Sequence, residues 1–323
     1  MEEIGGSMSG MSTDSGGKSR TREDSSAGGP ASRLRRLIRE RGCIAMPGSF
    51  NALCGRAVAA AGFEATYISG AATSVSAGVP DVGLLTLEHF CRVIREVSDA
   101  SGLPLIADAD TGFGEAEMVR RTVLDYARAG AAGLHLEDQQ FPKRCGHLDG
   151  KALVGTDHMV EKVEWAARAA RDLSPADPDA RLVICARTDA RGVEGFESAV
   201  DRAAAYVRAG ADMIFPEGLT SEGEFGDFAG RLRAQQGCDR VMLLANMTEF
   251  GKTPMIPVGR FAAMGYQCVI YPVSLLRVAM KAVDEALASL KSTGSMEASL
   301  GKMQTRAELY ALIGYTPGKP WQM

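Results

Sequence analysis

One short segment of the chain carries two cations, a thiol and an imidazole. Lys143, Arg144, Cys145 and His147 follow an apolar run that ends at Glu137. Buried charges are costly unless they are paired, so this composition suits a loop better than a core. The neighbouring cations and the imidazole favour the thiolate of Cys145, or let the thiol exchange its proton readily. The segment therefore predicts a chemically active loop rather than a solvated turn with a stray cysteine.

A second set of chemically useful residues is a group of carboxylates that directly follow apolar runs. Asp108 and Asp110 are two residues apart, so both side chains point the same way if the strand continues, and Glu137 ends the next run. Clustered carboxylates repel one another unless a cation is present, and Mg2+ binds carboxylate, water and substrate oxygens. With only four histidines in the chain, a His-rich zinc site is not predicted. His135 is interpreted as a hydrogen-bonded core histidine rather than a ligand.

Two arginines are candidates for binding the carboxylates of a small polyanionic substrate. Arg187 follows an apolar run, and Arg277 lies early in a helical pattern. A guanidinium binds a carboxylate through two parallel hydrogen bonds. For Arg277, an ion pair on the helix surface or between subunits is an equal alternative. The residues alone thus predict a Mg2+-dependent enzyme that acts on a small polyanion.

The elements that must position these residues alternate regularly from residue 32 onward. Eight strands are predicted at 44–47, 65–69, 103–107, 133–136, 182–186, 213–215, 241–245 and 267–270. Helical patterns are predicted at 52–61, 87–98, 116–129, 159–172, 196–209, 225–234, 258–264 and 275–290. Eight βα repeats predict an α/β fold, a (β/α)8 barrel of the TIM type. A doubly wound open sheet is the alternative, and the missing GxGxxG after the first strand argues against it.

In such a barrel the active site lies at the carboxyl ends of the strands. Polar residues follow nearly every predicted strand, namely Ser49, Asn51, Ser69, Asp108, Asp110, Glu137, Asp138, Arg187, Asp189, Glu217, Asn246, Thr248, Glu249 and Tyr271. Any one of them has the equal alternative of capping the next helix. Together, these residues at one end of the barrel, here called its carboxyl rim, predict a single shared site.

Composition and charge narrow the class of protein. The 323 residues include 36 basic and 40 acidic ones, which gives a formal charge of −4 without a basic block, so neither nucleic acid nor an anionic membrane is an expected partner. No apolar run is long enough to cross a bilayer. Seven scattered cysteines without a CxxC pair suit a reducing compartment and predict a cytoplasmic protein. Residues 1–30 predict a disordered tail, and 31–323 a single domain.

Short motifs along the chain match a known enzyme family. They are PGSFN at 47–51, SGAA at 69–72, VPDVG at 79–83, DADTGFG at 108–114, EDQ at 137–139, KRCGH at 143–147, ARTDA at 186–190, FPE at 215–217, LANMTEFG at 244–251, YP at 271–272 and MQTRAELY at 303–310. In this order they resemble the isocitrate lyase and phosphoenolpyruvate mutase superfamily, and within it the 2-methylisocitrate lyases, over about residues 32–315. The thiol loop distinguishes the lyases from the mutase branch.

The resemblance implies a Mg2+-dependent retro-aldol cleavage of a small hydroxy-tricarboxylate. The substrate implied is 2-methylisocitrate, and the products are pyruvate and succinate of the methylcitrate cycle in propionate catabolism. Asp108 and Asp110 would hold the metal, directly or through water, with Asp81 and Glu137 in the surrounding shell.

The same resemblance assigns catalytic and substrate-binding roles. Cys145 would protonate the aci-carboxylate that cleavage leaves, with His147 beside it, and Tyr67 would handle the hydroxyl proton. The residues implied to line the substrate are Ser69, Gly70, Ala71, Gly146, His147, Arg187, Glu217, Asn246, Thr248, Arg277 and Arg306.

The resemblance also implies an assembly, and it leaves alternatives open. A C-terminal helix within 303–313 would be exchanged between neighbours in a dimer of dimers, a homotetramer. The residues around the thiol loop, 141–142 and 148–150, are closer to 2,3-dimethylmalate lyases, and 316–321 departs from the expected tail. A lyase acting on 2,3-dimethylmalate or isocitrate is therefore the alternative. Intact Cys145, Asp108 and Asp110 argue against a non-catalytic binding protein, and the thiol loop argues against a mutase.

Overall fold

The computed structural model describes residues 28–144 and 150–321. Its strands are β1 (Ile44–Pro47), β2 (Thr66–Ile68), β3 (Leu105–Asp108), β4 (Gly133–Glu137), β5 (Val183–Thr188), β6 (Met213–Pro216), β7 (Met242–Asn246) and β8 (Cys268–Tyr271). All eight predicted strands are therefore present, each within about two residues of its predicted bounds, which is the usual uncertainty of strand ends.

The strands form one parallel sheet that closes on itself. Their order is β1-β8-β7-β6-β5-β4-β3-β2. The two end strands meet through a parallel bridge between Gly48 and Tyr67, and the Ser49 N–H donates to the Tyr67 carbonyl at 2.9 Å. A side chain at Gly48 would collide with the Pro272 carbonyl, since a Cβ there lies 2.3 Å from that oxygen. The closure confirms the predicted (β/α)8 barrel over an open sheet.

Helices cover the outside of the barrel. They are α1 (Pro30–Arg41), α2 (Ala52–Ala60), α3 (Gly70–Ser76), α4 (Leu87–Ser101), α5 (Ala116–Ala129), α6 (Thr156–Leu173), α7 (Ala190–Val193), α8 (Phe196–Arg208), α9 (Glu222–Arg233), α10 (Val258–Ala263), α11 (Ser274–Thr293) and α12 (Arg306–Leu312). The eight predicted helical patterns are confirmed, whereas α1, α3 and α7 were not predicted. Helix α1 begins at Pro30, the last residue assigned to the tail, and packs Leu34 and Ile38 against the barrel interior.

Side chains alternate between the two faces of each strand and so form two hydrophobic cores, one inside the barrel and one between the strands and the helices. In β5, Val183 and Cys185 belong to the cluster inside the barrel, while Ile184 and Ala186 pack outward against the helices. Successive side chains of a strand point to opposite faces, so the next inward residue is Arg187 at the carboxyl end. The two-residue alternation that buries Val183 and Cys185 inside the barrel therefore also points the charged Arg187 inward at the carboxyl rim.

Helix α11 packs differently from the other long helices. Leu276 is its buried residue, whereas Val278, Val283 and Leu287 are 70, 44 and 57% exposed. An apolar stripe left open over several turns marks a surface that another element can cover. Within residues 28–144 and 150–321, none of the helices combines the length and the apolar character needed to cross a membrane.

Candidate active site

The carboxyl rim of the barrel gathers most of the predicted site residues into one cleft. Those that line it are Tyr67, Ser69, Ala71, Asp81, Asp108, Glu137, Arg187, Glu217, Asn246 and Thr248. Lys143 and Arg144 also line it. Because these residues lie at the carboxyl ends of six strands, β2 to β7, or in the loops that follow them, only the closed barrel brings them together.

Asp108, the last residue of β3, is a buried carboxylate that accepts two backbone hydrogen bonds. It accepts hydrogen bonds from the N–H groups of Gly70 and Asp110, both at 3.0 Å. Burial alone would raise its pKa, but electrostatic interaction with His135, Lys143 and Arg187, together with the hydrogen bond from the Asp110 N–H, brings the pKa of Asp108 below its usual value. Gly70 permits the contact, because a Cβ there would lie 2.6 Å from Asp108 Oδ2.

Asp110 occupies a turn that few residues other than glycine adopt. Its φ is +45°, in the left-handed region, where a short polar side chain is tolerated best. The turn places the carboxylate beside that of Asp108. Burial first, and the charge of Asp108 second, raise the pKa of Asp110 to about 6. The pair is thus an electrostatically unfavourable arrangement that a cation would relieve.

Arg187 is the central cation of the rim. Its Nε and Nη2 donate to the two oxygens of Asp189 at 2.9 and 3.1 Å. Its Nε also lies 3.2 Å from Glu137 Oε2, and its Nη1 3.7 Å from Glu217 Oε2. The guanidinium stacks on the Phe215 ring with 5.1 Å to the ring centroid. Arg187 is therefore fixed in orientation before any substrate arrives.

Two residues that hold Arg187 in place were predicted to follow strands at the site, but no role was assigned to them. Asp189 is fully buried and also pairs with Lys151 Nζ, which lies 2.6 Å from its Oδ1. Asp138 supports the same turn, because it accepts from the Asp189 N–H at 3.0 Å and from the Thr188 hydroxyl at 2.7 Å. The spacing of Arg187 and Asp189 was a usable signal, since residues two apart share a face of a strand.

Tyr67 and His135 form a buried pair beneath the cleft. The Tyr67 hydroxyl lies 2.7 Å from His135 Nε2, and the two rings stack. Burial lowers the pKa of His135 to about 4, and burial with the charge of Asp108 raises the pKa of Tyr67 well above its usual value. Both side chains are neutral near pH 7. His135 is a hydrogen-bonded core residue, as predicted.

Two predicted substrate residues do not reach the cleft in this chain. Arg277 donates to the Glu249 carbonyl at 2.6 Å and to its carboxylate at 2.9 Å, and its side chain is 41% exposed. This is the helix-surface ion pair that was its alternative interpretation. Arg306 begins helix α12 and is exposed. Cys145, Gly146 and His147 lie outside the described residues.

The carboxylates of the rim fit a hard divalent cation. Glu137 Oε1 is buried without a hydrogen-bond partner in the described part of the chain. Among residues 28–144 and 150–321, no three His, Cys, Asp or Glu side chains already converge on one metal position. Mg2+ needs only one or two carboxylates and completes its shell with water and substrate oxygens. Asp108, Asp110 and Glu137 supply that chemistry, so the residues fit Mg2+.

Comparison with known proteins gives consistent relatives. Residues 34–291 match the phosphoenolpyruvate phosphomutase family. A 2-methylisocitrate lyase of Aeropyrum pernix is 48% identical over 282 residues, which cover 87% of this chain and 86% of the relative. The solved structure of 2,3-dimethylmalate lyase, a PEP mutase/isocitrate lyase superfamily member, is 37% identical with a TM-score of 0.80, covering 88% and 92% of the two chains. Phosphonopyruvate hydrolase in complex with oxalate and Mg2+ is 28% identical with a TM-score of 0.77, covering 88% and 95%.

A closed parallel barrel with carboxylates and a fixed guanidinium on its carboxyl rim defines a (β/α)8-barrel enzyme. The chain belongs to the phosphoenolpyruvate mutase/isocitrate lyase superfamily and, within it, to the 2-methylisocitrate lyases. The family indicated by the short motifs is thereby confirmed.

Proposed function

We propose that this protein is a Mg2+-dependent carbon–carbon lyase that cleaves 2-methylisocitrate to pyruvate and succinate in the methylcitrate cycle. One observation carries the proposal. Asp108 and Glu137 meet Arg187 in one cleft on the barrel rim, with Asp110 hydrogen-bonded to Asp108, in a chain 48% identical to a 2-methylisocitrate lyase. This arrangement supplies the charges that such a cleavage requires.

The reaction moves two protons and one electron pair. The substrate hydroxyl loses its proton, its carbon becomes the carbonyl of pyruvate, and the bond to the neighbouring carbon breaks. The electron pair passes into the carboxylate on that neighbouring carbon and leaves an aci-carboxylate dianion, which takes up a proton to become succinate. A bound divalent cation would stabilise negative charge on the substrate oxygens. Arg187, pre-oriented by Asp189, would stabilise the same charge without reorganising during the reaction.

Residues of the chain account for both proton transfers. Tyr67 would handle the hydroxyl proton, and its phenol oxygen is held 2.7 Å from His135 Nε2. Cys145 would donate the second proton to the carbanion-like carbon.

We expect the purified protein with Mg2+ to release pyruvate from 2-methylisocitrate, because the rim holds the charges for that cleavage. EDTA should remove at least about 99% of the activity, since the metal contributes several kcal/mol of transition-state stabilisation, and added Mg2+ should restore it. A coupled assay that reduces pyruvate would measure the rate.

The same assay, run on a panel of related acids, distinguishes the proposed substrate from the alternative substrates. 2,3-Dimethylmalate is the competing substrate favoured by a specific finding, the 37% identity to a solved 2,3-dimethylmalate lyase. Isocitrate would release glyoxylate instead of pyruvate. Cleavage of either acid without cleavage of 2-methylisocitrate would contradict the proposed substrate and leave the reaction class intact. Turnover of phosphoenolpyruvate would support a mutase instead.

We also propose a homotetramer, a dimer of dimers, in the cytoplasm. The open apolar stripe of α11 supports the assembly, with Val278 and Leu287 among its exposed residues. The six cysteines of the described residues are free thiols, as suits a reducing compartment. Light scattering after gel filtration should give four times the 34.2 kDa chain mass. A mass of one or two chains would contradict the tetramer.

A further inference from the structure

The protein places a cation of its own among the carboxylates of the rim. Lys143 Nζ lies 2.5 Å from Asp81 Oδ1 and 2.7 Å from Asp110 Oδ1. The charges of Glu137 and Asp108 also act on the ammonium, which is almost completely buried. One positive charge therefore faces four carboxylates.

Two hydrogen bonds hold the backbone next to Lys143 and thereby help to position its ammonium. The Arg144 N–H donates to Gln139 Oε1, and Gln139 Nε2 donates to the Arg144 carbonyl, both at 2.9 Å. With Lys143 and Arg144 in the cleft, only about 50 Å³ of free space remains there. Small-molecule sites usually offer roughly 300–1,000 Å³. In this arrangement the chain itself fills much of its own site.

We propose that Lys143 is an internal counter-ion of the metal site, whose ammonium competes with the divalent cation for Asp81 and Asp110. The inference rests on the Mg2+ dependence of the proposed function. Two positive charges beside the same buried carboxylates repel each other, so each weakens the binding of the other. Without metal, the ammonium pairs with buried carboxylates that would otherwise be unpaired and would destabilise the fold. Lys143 thereby lowers metal affinity and stabilises the metal-free fold.

The test measures metal binding in the absence of substrate. Lys143→Gln should bind Mn2+ about tenfold or more tightly than the wild type, because the competing charge is gone. Mn2+ can be followed by electron paramagnetic resonance, starting from metal-loaded protein and adding a competing chelator. The comparison then does not require Lys143→Gln to fold without metal. Lys143→Arg keeps the charge and should bind Mn2+ no more tightly than the wild type.

Lys151 offers a matched control. Its ammonium is also buried, but it pairs with Asp189, a carboxylate that binds Arg187 and is not among the proposed metal ligands. Lys151→Gln should therefore change Mn2+ affinity by less than about threefold, since it removes a charge that does not compete for Asp81 or Asp110. In EDTA, Lys143→Gln should melt roughly 5–10 °C below the wild type, because a buried partner is lost, and Mn2+ should close that gap.

Each outcome decides between the possibilities. Equal or weaker Mn2+ binding by Lys143→Gln overturns the competition. Tighter Mn2+ binding by Lys143→Arg would show that the positive charge of Lys143 does not limit metal affinity, and it would overturn the inference. Equally tight Mn2+ binding by Lys151→Gln would show that the effect is not specific to Lys143, and it would overturn the inference as well. A wild type that binds no Mn2+ overturns this inference together with the proposed cofactor. Tighter binding by Lys143→Gln alone supports it and is independent of which acid the enzyme cleaves.

Discussion

Asp108→Asn is expected to lower kcat/KM by about a thousandfold or more, which corresponds to roughly 4 kcal/mol of transition-state stabilisation. Asp108 uses both oxygens to accept N–H groups, from Gly70 and Asp110. An asparagine offers one oxygen, and its NH2 group would face the second N–H donor. The variant therefore loses a hydrogen bond as well as the charge proposed to hold the metal. Steady-state kinetics with 2-methylisocitrate at saturating Mg2+, together with Mn2+ binding, measure both losses.

Asp125→Asn is the control for this variant. Asp125 lies on α5 and pairs with Arg121 and Arg128 at the surface. Exposed ion pairs contribute about 0–1 kcal/mol, so this change should leave kcat/KM within about twofold of the wild type. If Asp108→Asn keeps more than a tenth of the activity with unchanged Mn2+ affinity, the metal is not held by Asp108.

The barrel could be predicted because its strands are buried on both faces and appear as continuous apolar runs. The predicted bounds stopped where the apolar residues stopped, whereas the ladder continues into polar ones. Strand β3 includes Asp108, β4 includes Glu137 and β5 extends to Thr188. Backbone hydrogen bonding does not depend on the side chain, so hydrophobicity marks strand ends less well than strand centres.

The unpredicted helices have physical reasons as well. Helix α3 has seven residues, most of them small, and so lacks the apolar period that indicates a helix. It is started by the Ser69 side chain, which accepts from the Ala72 N–H. Helix α1 follows directly on a polar segment, and its apolar face is explained only by the barrel end that it covers.

The sequence predicted which residues lie at the site better than which of them contact one another. Alternation from the strand core leads to Arg187 and Glu137 without any knowledge of tertiary structure. Lys143 could be placed beside Cys145 along the chain, but its contact with Asp81 joins residues 62 positions apart. Local sequence carries no information about such a contact, because it depends on how two loops meet above the barrel.

Arg187→Lys is expected to lower kcat/KM by about 10²–10³-fold, the range seen when one preorganised donor to a developing charge is removed. The guanidinium binds both oxygens of Asp189 and also contacts Glu137 and Glu217. A lysine is a single point charge that cannot hold a carboxylate through two parallel bonds and still present a planar donor to the substrate. The free energy of unfolding should fall by about 2–4 kcal/mol, because buried carboxylates lose a partner. Denaturant unfolding and steady-state kinetics measure the two effects.

Arg191→Lys is the matched control, four residues further along the chain. Arg191 also binds a carboxylate through its guanidinium, that of Glu224, but the pair is partly exposed. It should cost less than about 1 kcal/mol of unfolding free energy and leave kcat/KM within about twofold. A loss of less than tenfold in kcat/KM for Arg187→Lys would contradict a role for Arg187 in the reaction.

The division of the loss between kcat and KM tests what Arg187 does. A residue that binds substrate and transition state equally raises KM when it is changed and leaves kcat alone. Arg187 is held by Asp189 against the metal-side carboxylate Glu137, so its orientation is set before the substrate binds. Its stabilisation should therefore grow as negative charge develops on the substrate during cleavage. We accordingly expect the decrease in kcat to account for most of the loss.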